Sequence, residues 1–218
     1  MRLIRKGLRE LKAISGSNDF YFAPLLLLSA GYERLGKGIY CFHHLATEGS
    51  LPRPRTFPAG HKGHDVGELL LWITENVYNT AYLTRPVAQE DLILLRDDPV
   101  VARLVRVLSE FGEHSRYYHL DVVVGRNPKG PAPEQVWQEI EFELLKWDDA
   151  WVERLTAGNL EDLYEAITTR MVIPLEKVAR ALCRLFTLGP LGPEGRRVGP
   201  HLRPFLTLRD QELGRQDY

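Results

Sequence analysis

The chain has 218 residues, of which 44% are hydrophobic and 26% are charged, a composition typical of a globular protein and not of a disordered one. Its 28 basic and 29 acidic side chains give a net charge of −1, so a nucleic acid or an anionic membrane would need a local basic patch. The two cysteines, Cys41 and Cys183, form no CxxC pair, which favours reduced, buried and unreactive thiols. The longest apolar run, residues 20–30, is too short to cross a bilayer, so we expect a cytoplasmic location and no membrane association.

The first predicted helix covers residues 2–14, where apolar side chains recur at helical spacing. Basic residues lie among them: Arg2, Arg5, Lys6, Arg9 and Lys12. Such a helix can lie on a membrane surface, bind nucleic acid, or open a bundle with its basic face in solvent. The third interpretation is the commonest, and the acidic stretch 133–165, with ten acidic and two basic side chains, offers the basic helix a neighbour.

A second helix is predicted from a cap at Asn18 or Asp19 to about Thr47, with Pro24 tolerated in its first turns. Residues 25–28 are apolar all round, which indicates the buried centre of the protein. Small residues on this helix would allow neighbouring helices to approach closely: Ser29, Ala30, Gly31, Gly36 and Gly38.

The remaining segments also read mainly as helices. A proline-rich loop covers residues 48–60, and helices are predicted over 64–78, 89–95, 98–114, 134–156 and 160–187. Asp98 and Pro99 are typical of a cap and a first helical residue, whereas 122–124 is a β-like run before a glycine- and proline-rich turn. We therefore predict an all-α antiparallel bundle over residues 1–188 and an irregular Gly/Pro-rich tail over 189–218.

The sequence contains no GxGxxG, Walker, HExxH, GxSxG or CxxC pattern, and we expect no cofactor. His61 and His64 are three residues apart and could hold a metal ion if a carboxylate such as Glu33 or Glu68 completed the site. The favoured alternative is that His64 and Asp65 bind the first amides of a helix, so we expect no bound metal.

Two segments resemble the HEPN-like family of helical domains, which is common in prokaryotic toxin–antitoxin and phage-defence systems. Residues 29–38, SAGYERLGKG, are similar to its central helix, and residues 63–70, GHDVGELL, are similar to the start of its next helix. The resemblance covers about residues 15–120. It implies a helical bundle, a homodimer and a role linked to RNA.

Active members of that family cut RNA with an R-x(4–6)-H motif, in which arginine holds the phosphate and histidine assists proton transfer. Two pairs match the spacing, Arg55 with His61 and Arg196 with His201, but both enclose glycine and proline, whereas the family motif lies on a helix. Arg116 and His119 are too close in sequence to match. The resemblance therefore implies the fold more than ribonuclease activity.

These observations favour a HEPN-like binding or interaction module with an RNA or protein partner. Two alternatives stay open: a metal-independent ribonuclease that uses Arg116 and His119, and a metal-dependent enzyme that uses Glu33, His61 and His64. The residues assigned to binding are Glu33, Lys37, His64, Asp65 and Tyr117. Because helix ends meet in an antiparallel bundle, Arg116 is predicted to lie close to Glu33 or Asp65, either as a buried ion pair or as part of an RNA cleft.

Overall fold

The computed structural model describes residues 1–15, 17–18, 20–53, 56–57, 64–128, 132–146, 153, 156, 158 and 160–218. Within these residues the chain forms ten α-helices and no β-strand, so the predicted all-α class is confirmed. The helices are α1 (Arg2–Lys12), α2 (Phe22–Glu48), α3 (Val66–Asn76), α4 (Pro86–Asp97), α5 (Pro99–Glu113), α6 (Tyr118–Val123), α7 (Pro133–Lys146), α8 (Leu160–Thr187), α9 (Gly192–Arg197) and α10 (Gly199–Leu206). None of these helices combines the length and the apolar character needed to cross a bilayer.

The central helix is α2, which lies against α1, α3, α5 and α8. Leu25, Leu28 and Ile39 are almost completely buried on it, but Leu26 is 39% exposed, so the predicted buried centre is confirmed for one face of residues 25–28 and not for the whole run. The helix ends at Glu48, and Gly49 follows with a φ of +71°, a left-handed conformation that glycine adopts without a Cβ clash.

The start of α2 differs from the prediction. The side-chain amide of Asn18 donates to the backbone carbonyl of Ala13 at 3.0 Å and does not cap α2. Asp19 lies outside the described residues. The N-cap position is held by Tyr21, which makes no side-chain capping bond. The short link between α1 and α2 therefore uses the polar side chain of Asn18 to close the end of α1.

Glycines allow α1 and α2 to pack closely. A methyl group on Gly31 would lie 2.6 Å from Cγ1 of Ile4, and a methyl group on Gly7 would lie 2.7 Å from Cγ of Leu28. Both distances are shorter than carbon atoms tolerate, so a side chain at either position would push the helices apart. The small residues predicted to permit close approach thus do so at Gly31.

Carboxylates cap α3 and α5. The side chain of Asp65 accepts from the amide of Glu68 at 3.1 Å at the start of α3. Asp98 accepts from the amides of Val100 and Val101 at 2.9 and 3.0 Å, as the pairing of aspartate with the following proline predicts. The fourth helix is longer than predicted, because it begins at Pro86 and ends at Asp97.

The β-like run 122–124 was predicted wrongly. Val122 and Val123 belong to α6, and the side chain of Val123 is 81% exposed. A β-branched run favours a strand only where a partner strand covers it, and the described residues offer none. The turn predicted after it falls partly on residues 129–131, which lie outside the described residues.

The last two long helices agree with the sequence where they are described. The eighth helix, α8, covers residues 160–187 as predicted. The preceding helix, α7, is described as Pro133–Lys146. Its predicted course continues to residue 156, and residues 147–152, 154 and 155 lie outside the described residues.

The prediction of an irregular tail was also wrong over much of its length. Two short helices, α9 and α10, begin soon after residue 189, and each has proline in its first turn, where a missing amide hydrogen is tolerated. Leu202 and Phe205 of α10 are buried and belong to the hydrophobic core. The glycines and prolines of this segment thus end and begin helices instead of preventing them.

A fully buried carboxylate joins the end of the tail to α8. Glu176 accepts from the amide of Gly214 at 2.6 Å and from the hydroxyl of Tyr218. Burial raises the pKa of Glu176, although both hydrogen bonds act in the opposite direction. The ring of Tyr218 also stacks on Phe205, with 6.1 Å between the ring centroids.

Candidate functional site

The site begins with a carboxylate that two basic groups hold. Glu33 and Lys37 are one turn apart on α2, and Nζ of Lys37 lies 2.5 Å from Oε1 of Glu33. Nδ1 of His64, just before α3, lies 3.1 Å from Oε2 of the same carboxylate. The structure therefore brings together three of the residues that the sequence singles out.

The charge state of Glu33 follows from these contacts. Burial by itself would raise the pKa of Glu33, but the hydrogen bonds from Lys37 and His64, together with their charges, outweigh it and lower the pKa. An ionised carboxylate can only accept, so Nδ1 of His64 donates the proton in their hydrogen bond. This leaves Nε2 as the ring nitrogen that can serve a ligand, and the His64 side chain is 40% exposed.

Arg116 completes a cleft of about 200 Å³. The cleft is also lined by Glu33, Arg34 and His64, so Arg116 and Glu33 share one cleft, and their predicted close approach stays a prediction. Within the described contacts Arg116 forms no ion pair with either carboxylate proposed for it. Its guanidinium donates instead to the carbonyl of Gly112, through Nε at 3.1 Å and through a terminal nitrogen. That carbonyl belongs to the last turn of α5, where no helical amide is available to it.

Two serine hydroxyl groups and a glycine fix the positions of α2, α3 and α5 around the cleft. Ser29 on α2 donates to the carbonyl of Leu108 at 2.8 Å, and the hydroxyl of Ser109 accepts from the amide of Gly67 at 2.8 Å. A methyl group on Gly112 would lie 2.7 Å from Oγ of Ser29 and 3.1 Å from the carbonyl oxygen of His64. Only glycine therefore lets α5 come close enough to place Arg116 opposite His64.

The structure leaves three of the predicted site residues out of this cluster. Nε2 of His119 lies 2.9 Å from a carboxylate oxygen of Glu134, and its side chain is largely exposed. Tyr117 is exposed beside Arg116, whose guanidinium carbon lies 6.0 Å from the ring centroid. Asp65 caps α3. Arg116 and His119, the predicted catalytic pair, therefore do not meet in the cleft. The histidine that lines the cleft and could transfer a proton there is His64.

The structure bears on the predicted metal site and on the reactivity of the two cysteines. There, no group of three histidine, cysteine, aspartate or glutamate side chains is placed to hold a metal ion, and His61 lies outside it. Cys183 is buried, and burial raises its pKa to about 12. Cys41 is only partly buried, against the expectation of full burial, and burial raises its pKa as well. Both cysteines are thus held as thiols and not as nucleophilic thiolates.

Of the two pairs with R-x(4–6)-H spacing, the structure describes Arg196 and His201, which lie on different helices. Arg55 and His61 both lie outside the described residues. Arg196 is on α9 and His201 is on α10. His201 lines a separate cavity of about 410 Å³ between α1, α2 and α10.

Sequence reasoning missed Arg34, which lines both the cleft and the larger cavity. It follows Glu33 directly and lies within the segment that carries the family resemblance, so its position next to a candidate residue was the available signal. Leu26 and Phe111 also line the cleft and give it an apolar side. These contacts depend on how α2 and α5 cross, which no local pattern specifies.

No protein-family model, no curated protein and no solved structure matches this chain. The geometry and the charge of the cleft are therefore the observations that bear on function.

Proposed function

We propose that this chain is a HEPN-like helical binding module that binds RNA, with a phosphate group of the RNA held in the cleft of Glu33, Arg34, His64 and Arg116. The observation that carries this proposal is the arrangement of two arginines around a histidine whose orientation is fixed by a carboxylate. Arginine is the side chain best suited to phosphate, because its planar guanidinium donates two parallel hydrogen bonds.

The charge of the cleft supports an anionic ligand. One carboxylate, Glu33, and two arginines, Arg34 and Arg116, line the cleft, and Lys37 pairs with that carboxylate, so these four side chains have a net charge of +2. A volume of about 200 Å³ corresponds to roughly six or seven water molecules, so a phosphate group of five heavy atoms fits. Leu26 and Phe111 would contact the sugar or base beside that phosphate.

The test is equilibrium binding of a short fluorescent single-stranded RNA to the wild-type chain and to the double variant R34Q/R116Q. Losing charge-assisted hydrogen bonds of about 2 kcal/mol each predicts roughly 30-fold weaker binding for every bond lost. The matched control is R96Q/R197Q, which removes two exposed arginines that pair with neighbouring carboxylates and causes the same change in net charge. Equal affinities for the two double variants would reject the cleft as the RNA site.

A second candidate function, metal-independent RNA cleavage, is favoured by the bond between Glu33 and His64. With Nδ1 bound to the carboxylate, Nε2 of His64 would take the proton of a ribose 2′-hydroxyl as the 2′-oxygen bonds to phosphorus, and the bond from phosphorus to the 5′-oxygen would break. The proton would then pass to the departing 5′-oxygen, while Arg116 stabilises the charge on the phosphate. This assignment replaces His119 with His64.

Cleavage of end-labelled RNA in the presence of a chelator tests this candidate. We expect 2′,3′-cyclic phosphate ends from the wild-type chain, loss of cleavage in H64Q and retention of cleavage in H119Q. Intact RNA with the wild-type chain, or cleavage that is lost only in H119Q, would leave binding as the function of the cleft.

A further inference from the structure

The first helix carries four exposed basic residues that the cleft does not use. They recur at spacings of three, four and seven residues, which places them on one face of α1. We call Arg2, Arg5, Lys6 and Arg9 the basic stripe; all four are exposed. Lys12 is excluded, because it is half-buried and donates to the carbonyl of Gln216 at 2.9 Å.

The opposite face of α1 is fully occupied by the core. Ile4, Leu8 and Leu11 have no exposed surface. A helix that lies in a membrane surface must give its apolar face to lipid, and this helix could do so only by unfolding the bundle. The basic stripe is thus displayed on a rigid helix as a purely electrostatic surface.

No carboxylate in the described part of the chain forms an ion pair with the basic stripe, although Glu10 lies on the same helix. Many other exposed arginines of this chain do pair with carboxylates, for example Arg96 with Asp97. Four adjacent unpaired cations repel one another and are stabilised by a polyanion that displaces their counterions.

The basic stripe leads to the cleft. Arg2, at one end of the stripe, and Arg34 of α2 both line the cavity of about 410 Å³ between α1 and α2. Arg34 also lines the cleft that contains Arg116. Basic side chains therefore continue from Arg9 along α1 and across α2 to the proposed phosphate site.

We infer that the basic stripe binds the sugar–phosphate backbone of the RNA strand whose phosphate occupies the cleft. Seven residues of helix separate Arg2 from Arg9, about 10 Å, which is the length of about three steps between phosphates, or about four phosphates, at an axial spacing of about 3.4 Å. The inference rests on the proposed function for the identity of the polyanion as RNA. It adds a second surface that gives affinity without reading sequence.

The test compares the salt dependence of RNA binding in the wild-type chain and in R2Q/R5Q/K6Q/R9Q. Four phosphate contacts on a single strand contribute a slope of about −3 to the plot of log affinity against log salt concentration, so the quadruple variant should lose that slope. At ~0.1 M salt, the loss of that slope corresponds to RNA binding by the quadruple variant that is at least about 100-fold weaker than RNA binding by the wild-type chain. The matched control removes four exposed arginines that pair with carboxylates, in R96Q/R126Q/R197Q/R209Q.

Melting temperatures establish that both quadruple variants are folded, and R2Q/R5Q and K6Q/R9Q each test half of the stripe if the quadruple variant is unstable. An affinity and slope equal to those of the control variant would overturn the inference. It would also be overturned if vesicles of anionic phospholipid, and not RNA, bound the chain through the basic stripe. If R34Q/R116Q binds RNA normally while the stripe variant does not, the stripe is supported and the cleft is rejected; the reverse result rejects the stripe alone.

Discussion

A buried carboxyl group makes the stability of this chain depend on pH. Glu141 on α7 is 8% exposed, and it accepts hydrogen bonds from Trp137 Nε1 at 3.0 Å and from the Tyr21 hydroxyl at 3.1 Å. Burial raises the pKa of Glu141 from 4.5 to about 7, although both hydrogen bonds act to lower it. Between these two values the folded chain keeps a proton that the unfolded chain releases.

The direction of the effect follows from that proton. Because the unfolded state binds fewer protons than the native state between pH 4.5 and about 7, stability falls as pH rises through this range. A difference of 2.5 pKa units at 1.36 kcal/mol each gives a loss of about 3 kcal/mol. Glutamine at position 141 cannot ionise, yet its carbonyl can accept from Trp137 and its amide can donate to the hydroxyl of Tyr21.

We therefore expect E141Q to match the wild-type free energy of unfolding below about pH 4 and to exceed it by about 3 kcal/mol at about pH 8. Urea denaturation followed by circular dichroism across this range measures the difference, and every other titrating group cancels in it. The control is E139Q, an exposed position on the same helix, which should differ from the wild type by less than about 0.5 kcal/mol. A difference between E141Q and wild type that does not change with pH would refute the reasoning.

Three further predictions concern stability, each measured as a change in the free energy of unfolding. G31A should destabilise the chain by about 1–3 kcal/mol, because the added methyl group would collide with Ile4. An unchanged or higher stability would show that α1 can shift away from α2 without a loss of stability. Y218F should cost about 1–3 kcal/mol, because it removes a donor from the buried carboxylate of Glu176, and no change would show that the tail is not held there. D98A should cost about 1 kcal/mol through loss of the α5 cap, whereas D98N, which also caps, should cost less.

Local patterns predicted much of the fold. The apolar run 25–28 indicated the central helix, and the Asp98–Pro99 pair located the start of α5. The prediction of an irregular tail failed because it used the number of prolines in residues 189–218 and not their positions. Prolines in the first turns of α9 and α10 permit helices. The valines of 122–124 suggested a strand, but a strand needs a partner that lies elsewhere in the chain.

The candidate site was predictable in part for the same reason. Glu33 and Lys37 are four residues apart on one helix, so their ion pair is predictable from the local sequence. His64 and Arg116 were expected near Glu33 because helix ends meet in an antiparallel bundle, and both line the same cleft as Glu33. The contact of His119 with Glu134 joins segments that the sequence does not relate, so its exclusion from the cleft could not be foreseen. The packing of α5 against α2, which depends on tertiary contacts, likewise brought in Arg34.

The most direct measurement of the central claim is the histidine ring NMR spectrum of the chain during titration with single-stranded RNA. We expect the His64 ring signals to shift progressively and to saturate, because His64 lines the cleft that receives the phosphate. The signals of His119, which lies outside the cleft and contacts Glu134, should not shift. The same titration of R34Q/R116Q should leave His64 unmoved at equal RNA concentration. His64 signals that do not respond in the wild-type chain under conditions where RNA is bound would contradict the account.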